Sequence, residues 1–159
     1  MNKLNKTLKK KKKIDNNQFP NKDRINLSNI IIKTMSFYED ISRQKNITFS
    51  ACLDKETGIY ADTTLAEILL GNLISNAIRH TIQNGLIEIE LNKNFFRITN
   101  SASGKALDPQ KLFKRFQKNG TSSHSIGLGL EISRKICNLY GYQIQYSFVS
   151  DRHCFTLNF

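Results

Sequence analysis

Two asparagines four residues apart, Asn72 and Asn76, are followed by Arg79 and His80 inside an otherwise apolar run, Glu67-Ile-Leu-Leu-Gly-Asn72-Leu-Ile-Ser-Asn76-Ala-Ile-Arg79-His80-Thr81. On a helix, positions 72, 76 and 79 share one face. Carboxamides in a buried helix need partners, because an unpaired buried polar group costs about 1–3 kcal/mol. Those partners are either other protein groups or a bound cation and phosphate. Carboxamide oxygens suit a hard cation, and a guanidinium suits an anionic oxygen cluster. The residue pattern alone leaves both readings open.

The elements that must position these groups are legible from periodicity. Asn26-Leu27-Ser28 can cap a helix through Ile30, Ile31, Met35, Phe37, Tyr38 and Ile41, whose spacing is helical. Residues 46–53 alternate and predict a strand, Thr57-Gly58 marks a turn, and Ile59-Tyr60-Ala61 predicts a second short strand. Asp62 or Thr63 caps the asparagine-bearing helix, expected over 63–80. Leu86 to Leu91 and Phe95 to Asn100 predict a hairpin across Asn92-Lys93-Asn94. A small-residue loop over 101–107 precedes Asp108-Pro109, which starts a short helix through Phe113 and Phe116. A polar stretch, Asn119 to Ser125, leads to a helix from Gly127 to Tyr140 that Gly141 ends. Two closing strands are predicted over 142–149 and 153–159. Strands grouped in pairs do not fit βαβ alternation; they fit an α+β mixed sheet covered on one face by helices.

Composition narrows the class. A length of 159 residues suggests one folded domain, and no apolar run is long enough to span a membrane. Cys52, Cys137 and Cys154 are scattered, without CxxC or zinc spacing, as in a reduced cytoplasmic protein. The net charge of +11 sits mostly in a tail. Residues 1–25 carry nine Lys/Arg and two Asp, a net +7, leaving +4 for the other 134 residues. Lys9 to Lys13 could touch RNA or an anionic membrane. No aromatic residue interleaves them, so 1–23 reads as a solvated basic tail, with no specific nucleic acid expected. The folded domain is assigned to 24–159.

Four elements then line up in order: Asn72-x-x-x-Asn76-Ala-x-Arg79-His80; Asn100-Ser-Ala102-Ser-Gly104; Leu112-Phe113-Lys114-Arg115-Phe116; and Ser125-Ile-Gly127-Leu128-Gly129-Leu130. Together they resemble the N box, first glycine box, F box and second glycine box of the catalytic ATP-binding domain of bacterial sensor histidine kinases. That domain belongs to a wider ATPase family that includes gyrase. The resemblance implies a two-layer α/β sandwich of the Bergerat type, with about five strands under about three helices. It implies ATP and Mg2+ as ligands, with Asn76 on Mg2+. Asn72 would sit on a phosphate or a Mg2+-bound water, Arg79 on phosphate, and His80 would give a hydrogen bond. Gly127, Leu128, Gly129 and Leu130 would bring backbone N–H groups to phosphate. Lys114, Arg115 and Lys118 would be cations of a lid over about 105–126. Asn100, Ala102 and Gly104 would line the adenine end.

This chain departs from the family pattern at two places. Asn100 stands where the family usually has aspartate; its carbonyl can still accept from the adenine amino group, without the charge assistance. Ala102 replaces the first glycine of that box, so a differently shaped loop is expected if the position needs positive φ. Relatives that hydrolyse ATP or phosphorylate serine carry a glutamate where Asn72 stands. An asparagine cannot act as a base, and Glu67 lies on another side of the helix. Asn72 therefore favours transfer to a histidine, as in two-component signalling with a response regulator as partner.

His80, His124 and His153 are the only histidines, and none sits in a phosphoacceptor box. Residues 1–25 are too few for a dimerisation stem, so autophosphorylation by this monomeric chain is not expected. The acceptor would be a histidine-containing dimerisation domain, in cis in a longer and membrane-anchored parent or in trans. Two further readings are a degenerate nucleotide-binding module kept for protein contact, and an anti-sigma-type serine kinase, which Asn72 disfavours.

Overall fold

Strict alternation of apolar and polar residues builds the sheet. In the computed structural model, which describes residues 23–113 and 128–159, strands β2 (Thr48–Leu53), β4 (Leu86–Leu91), β5 (Phe95–Ser101), β6 (Gln143–Val149) and β7 (Arg152–Asn158) form one sheet of order β2-β4-β5-β7-β6. The β2–β4 pair is parallel and the other three are antiparallel, so the sheet is mixed. Ile87, Ile89, Leu91, Phe96, Ile98, Phe155 and Leu157 all point to the covered face and are buried. Glu88, Glu90, Arg97 and Arg152 alternate onto the other face, where Arg97 pairs with Glu90 and Arg152 with Glu88. These half-buried pairs lie on a solvent-reached face and add about 0–1 kcal/mol each.

The covering layer contains α1 (Leu27–Phe37), α2 (Glu39–Gln44), α3 (Thr63–His80), α4 (Pro109–Leu112) and α5 (Gly129–Tyr140). α3 packs against α1, α5 and β5, so it lies at the centre of the helical layer. Its Leu65, Leu69, Leu70, Leu73, Ile74 and Ile78 are each at most 2% exposed. Burying one such side chain contributes about 1.5–3 kcal/mol, which makes α3 the main source of core burial. The expected α+β two-layer sandwich is the fold observed.

Three local features differ from the sequence expectation. A strand β1 (Asp23–Asn26) precedes α1 and pairs antiparallel with β3 (Gly58–Ala61) in a separate two-stranded sheet. Its four residues are too few for a periodic signal, and its partner lies more than thirty positions away. The single helix expected through Ile41 is two helices, broken at Tyr38. There the backbone leaves helical geometry and the Tyr38 N–H turns back to the Met35 carbonyl at 3.1 Å. The short helix expected through Phe116 is described only as Pro109–Leu112; Phe116 lies outside the described residues. Elsewhere the caps match, with Asn26 accepting from the Asn29 N–H at 3.1 Å and Gly141 in the left-handed region at φ 74°.

The core separates the cysteines. Cys137 on α5 is fully buried, and burial pushes its thiol up to about 12, while Cys52 on β2 is exposed. A thiol reagent at pH 8 should therefore modify Cys52 quickly and Cys137 only as fast as the domain unfolds. Mass spectrometry of partly labelled protein reads the order; early labelling of Cys137 would contradict the described packing.

Candidate functional site

Both ends of α3 are tied down, which fixes the side chains along it. Asp62 Oδ1 accepts from the Leu65 N–H at 3.1 Å, and the Asp62 N–H donates to Tyr140 Oη of α5 at 2.9 Å. At the other end the Thr81 N–H and hydroxyl both donate to the Ala77 carbonyl, at 2.9 and 2.6 Å. With the apolar face held against the sheet, Asn72, Asn76 and Arg79 are carried on the side toward α5 and solvent.

These three are not equivalent. Asn72 donates from Nδ2 to the Gly129 carbonyl at 3.0 Å and to Ser133 Oγ at 3.5 Å, tying α3 to α5. Its Oδ1 accepts nothing from the described residues. Half-buried Asn76 makes no side-chain hydrogen bond among the described residues. Arg79 is exposed and folds back along the helix to Ser75 Oγ at 3.4 Å, and Ser75 in turn donates to the Asn72 carbonyl at 3.3 Å. One asparagine is thus partly committed to the protein, and the other is available.

The start of α5 faces the same space. Leu128 occupies the N-cap position without a side-chain cap, although Glu131 places a carboxylate in the first turn. Leu128 is 1% exposed and anchors this end in the core, and half-buried Leu130 packs on its edge. A Cβ built on Gly129 would lie 3.5 Å from Asn72 Oδ1, an ordinary contact. Packing alone does not demand glycine there; its absent side chain leaves room beside that free acceptor.

At the far end, Asn100 on β5 is 2% exposed and donates from Nδ2 to the Ser101 carbonyl at 3.2 Å. A carboxylate in its place would be a buried charge requiring compensation. Ala102 is 7% exposed and its N–H donates to the Asp151 carbonyl at 3.0 Å. It is not among the residues with positive φ, so alanine causes no backbone strain here. Gly104, at φ 127°, holds the position that favours glycine. Lys114, Arg115, Lys118 and Gly127 lie outside the described residues.

The sequence reading missed a polar chain at this end. Tyr146 Oη accepts from the Leu107 N–H at 2.9 Å and lies 2.8 Å from His153 Nδ1. Oη can donate to Nδ1 or accept from it, according to the tautomer of His153. His153 is the β-ladder partner of Asn100, so this chain ties the loop after β5 to the wall beside Asn100. Only the alternation of 153, 155 and 157 onto the covered face could have flagged it. Burial lowers the His153 pKa. His80 is exposed, yet surrounding protein pushes its pKa down, helped by the positive charges of Arg79, His153 and Lys45. Among the described residues no group of three or more His, Cys, Asp and Glu could hold a metal ion.

Comparison with known proteins fits this arrangement. Residues 61–159 match the family model described as histidine kinase-, DNA gyrase B-, and HSP90-like ATPase. The chain belongs to this ATPase family. The histidine-kinase-type domain is 31% identical over 148 residues to the sensor histidine kinase HprS of Escherichia coli, covering 89% of this chain and 32% of HprS. It is 32% identical over 132 residues to the heme sensor protein HssS of Staphylococcus aureus, covering 79% of this chain and 28% of HssS. The chain thus spans about a third of the length of these relatives. Among solved structures, the Acinetobacter baumannii histidine kinase AdeS superposes with a TM-score of 0.78 at 26% identity, covering 98% of this chain and 75% of that one. The histidine kinase ThkA, solved in complex with the response regulator TrrA, gives 0.68 at 29% identity, covering 86% and 41%.

The two lowered histidines set a pH dependence for this ATPase domain. Their folded pKa values lie below the ordinary one, so the unfolded chain takes up protons first as pH falls. Stability is full above the ordinary histidine range, about 6.5, and is lost as pH falls through it toward the lowered folded values. Urea midpoints should decrease from pH 7.5 to pH 5, and less steeply in His153→Gln than in wild type. Equal slopes would show that His153 is not held neutral.

Proposed function

We propose that this domain binds Mg-ATP and supplies the γ-phosphoryl group to a histidine on a separate dimerisation and phosphoacceptor domain. The observation that carries this reading is the uncommitted Asn76 carboxamide, on the same face of α3 as Arg79 and across from the start of α5. An oxygen ligand, a fixed positive charge and backbone donors fit a Mg-triphosphate, and among the described residues no acidic cluster competes with them. Mg2+, when bound, neutralises charge on the phosphates during transfer. Asn76 would be its protein ligand. Asn72 has given its amide donor to Gly129, so of its two expected roles it keeps the one an acceptor can play, toward a Mg2+-bound water. Arg79, freed from its long bond to Ser75, would meet phosphate, and His80 would add a neutral hydrogen bond.

The identity of the acceptor follows from what the site lacks. Asn72 cannot take a proton from water or serine. Glu67, the nearest carboxylate on α3, is ion-paired with Lys33 of α1 at 3.0 Å and exposed on another side of the helix. A neutral imidazole is already a nucleophile, and positioning with charge stabilisation suffices for it. HprS is a sensor histidine kinase and ThkA forms a complex with a response regulator. Both support the proposal that this domain serves a two-component pathway in the cytoplasm, where ATP is available, with residues 1–23 as a basic connecting segment. No helix among the described residues is long and apolar enough to cross a membrane. A second reading, a module that has lost nucleotide binding, draws on Asn100, whose amide is spent on Ser101.

Calorimetric titration with a non-hydrolysable ATP analogue separates the two. Mg2+-dependent binding is expected in wild type. Asn76→Ala should abolish the Mg2+ dependence at unchanged melting temperature, since its carboxamide supports no described contact. No heat at millimolar ligand would sink the Mg-ATP reading. Transfer of label from ATP to an added histidine-bearing dimerisation domain tests the acceptor.

A further inference from the structure

The last turn of α3 ends with carbonyls that no helical N–H can satisfy. Lys45, in the turn between α2 and β2, fills this gap. Its Nζ donates to the carbonyls of Ile78 at 3.0 Å, Arg79 at 3.0 Å and Thr81 at 2.5 Å. Three acceptors match the three hydrogens of an ammonium, one more than a neutral amine carries. The cation also sits at the negative end of the α3 dipole, where it is favoured.

The turn carrying Lys45 is itself clamped to the turn after α3. Asn46 and Asn84 both adopt left-handed backbone, at φ 50° and 57°, and Asn46 Nδ2 donates to Asn84 Oδ1 at 2.7 Å. The Asn84 N–H donates to the Lys45 carbonyl at 3.0 Å, and the Thr48 N–H to the Gly85 carbonyl at 2.9 Å. Half-buried Lys45 is therefore delivered from a rigid platform rather than from a floppy surface turn.

We propose that Lys45 is a positioning residue for nucleotide binding: it fixes the final turn of α3, and with it the direction of Arg79 and His80, without touching the nucleotide. This rests on the Mg-ATP reading above. The same charge is one of those disfavouring protonation of His80, together with Arg79 and His153. Desolvation is the main cause of that lowering and Lys45 adds to it, while Arg79 supplies the fixed charge of that turn.

Three variants test the proposal: Lys45→Met removes donors and charge, Lys45→Gln keeps an amide donor without charge, and Lys45→Arg keeps both. Amide exchange at Ile82 and through the last turn of α3 should quicken in Met and Gln and stay slow in Arg. The His80 imidazole titration, followed by NMR, should move up in Met and Gln alone. Mg-ATP-analogue binding should weaken about tenfold in Met, the scale of one charge-assisted hydrogen bond, and recover in Arg. Should Met fail to fold, Gln carries the same comparison. Unchanged exchange and His80 titration would overturn the proposal. So would altered exchange with unchanged affinity, which would make Lys45 a stability residue only. If wild type itself binds no nucleotide, the Mg-ATP reading fails and takes the role in affinity with it, while exchange and titration still show whether Lys45 fixes the turn.

Discussion

Burying one helix on both its flanks while leaving it a polar edge is the constraint behind the rest of this structure. α3 must press Leu65, Leu69, Leu73 and Ile74 into the core and still hold Asn72, Asn76 and Arg79 in a space that water reaches. A helix can do this only if it does not rotate, because a turn of about 100° per residue would swap an asparagine for a leucine. Rotation is resisted at three levels. Asp62 and Thr81 close the ends, Asn72 joins the middle to α5, and Tyr140 returns a bond from α5 to Asp62. The apolar burial supplies the energy and the polar bonds supply the register.

The same logic explains why the polar groups divide their labour. Asn72 meets its need for a partner within the protein, through Gly129 and Ser133. Its neighbour one turn later has no such partner among the described residues, yet Asn76 is only half-buried, so water can satisfy it at little cost. A fully buried free carboxamide would cost about 1–3 kcal/mol. An edge position lets the protein keep an uncommitted ligand group without that penalty. Among the described residues the two asparagines therefore differ: Asn72 is tied to α5 through its amide, and Asn76 makes no side-chain hydrogen bond.

How much of this could be read from residues alone follows from contact range. α3, the β4–β5 hairpin and α5 were legible because their signals are local: apolar spacing, an Asx turn at Asn92, a capping Asp62 and a terminating Gly141. The motif residues were legible because their order and spacing are unusual together. β1 was not, since four residues pair with β3 across a long separation. Neither was the break at Tyr38, where the helical apolar period runs on without interruption. Lys45 and His153 were missed for a related reason. A lysine in a polar turn and a histidine in an alternating strand carry no local mark, and their roles arise from carbonyls and rings far along the chain.

The charge pattern of the site argues a final point about chemistry. Asparagines occupy positions 72 and 100, where the family resemblance leads one to expect carboxylates. Each substitution removes a negative charge from a region that is buried or close to the proposed phosphates. Asn100, at 2% exposure, would have to pay heavily for an ionised side chain, and its amide instead closes on Ser101. Desolvation lowers the pKa of both His80 and His153, and nearby positive charges lower that of His80 further. The cations at the last turn of α3 are Arg79 and Lys45, while Glu67 is paired with Lys33 on another side of the helix and Glu131 sits in the first turn of α5. On the Mg-ATP reading proposed above, the geometry of the last turn of α3, more than any proton-moving residue of that helix, would position the phosphates.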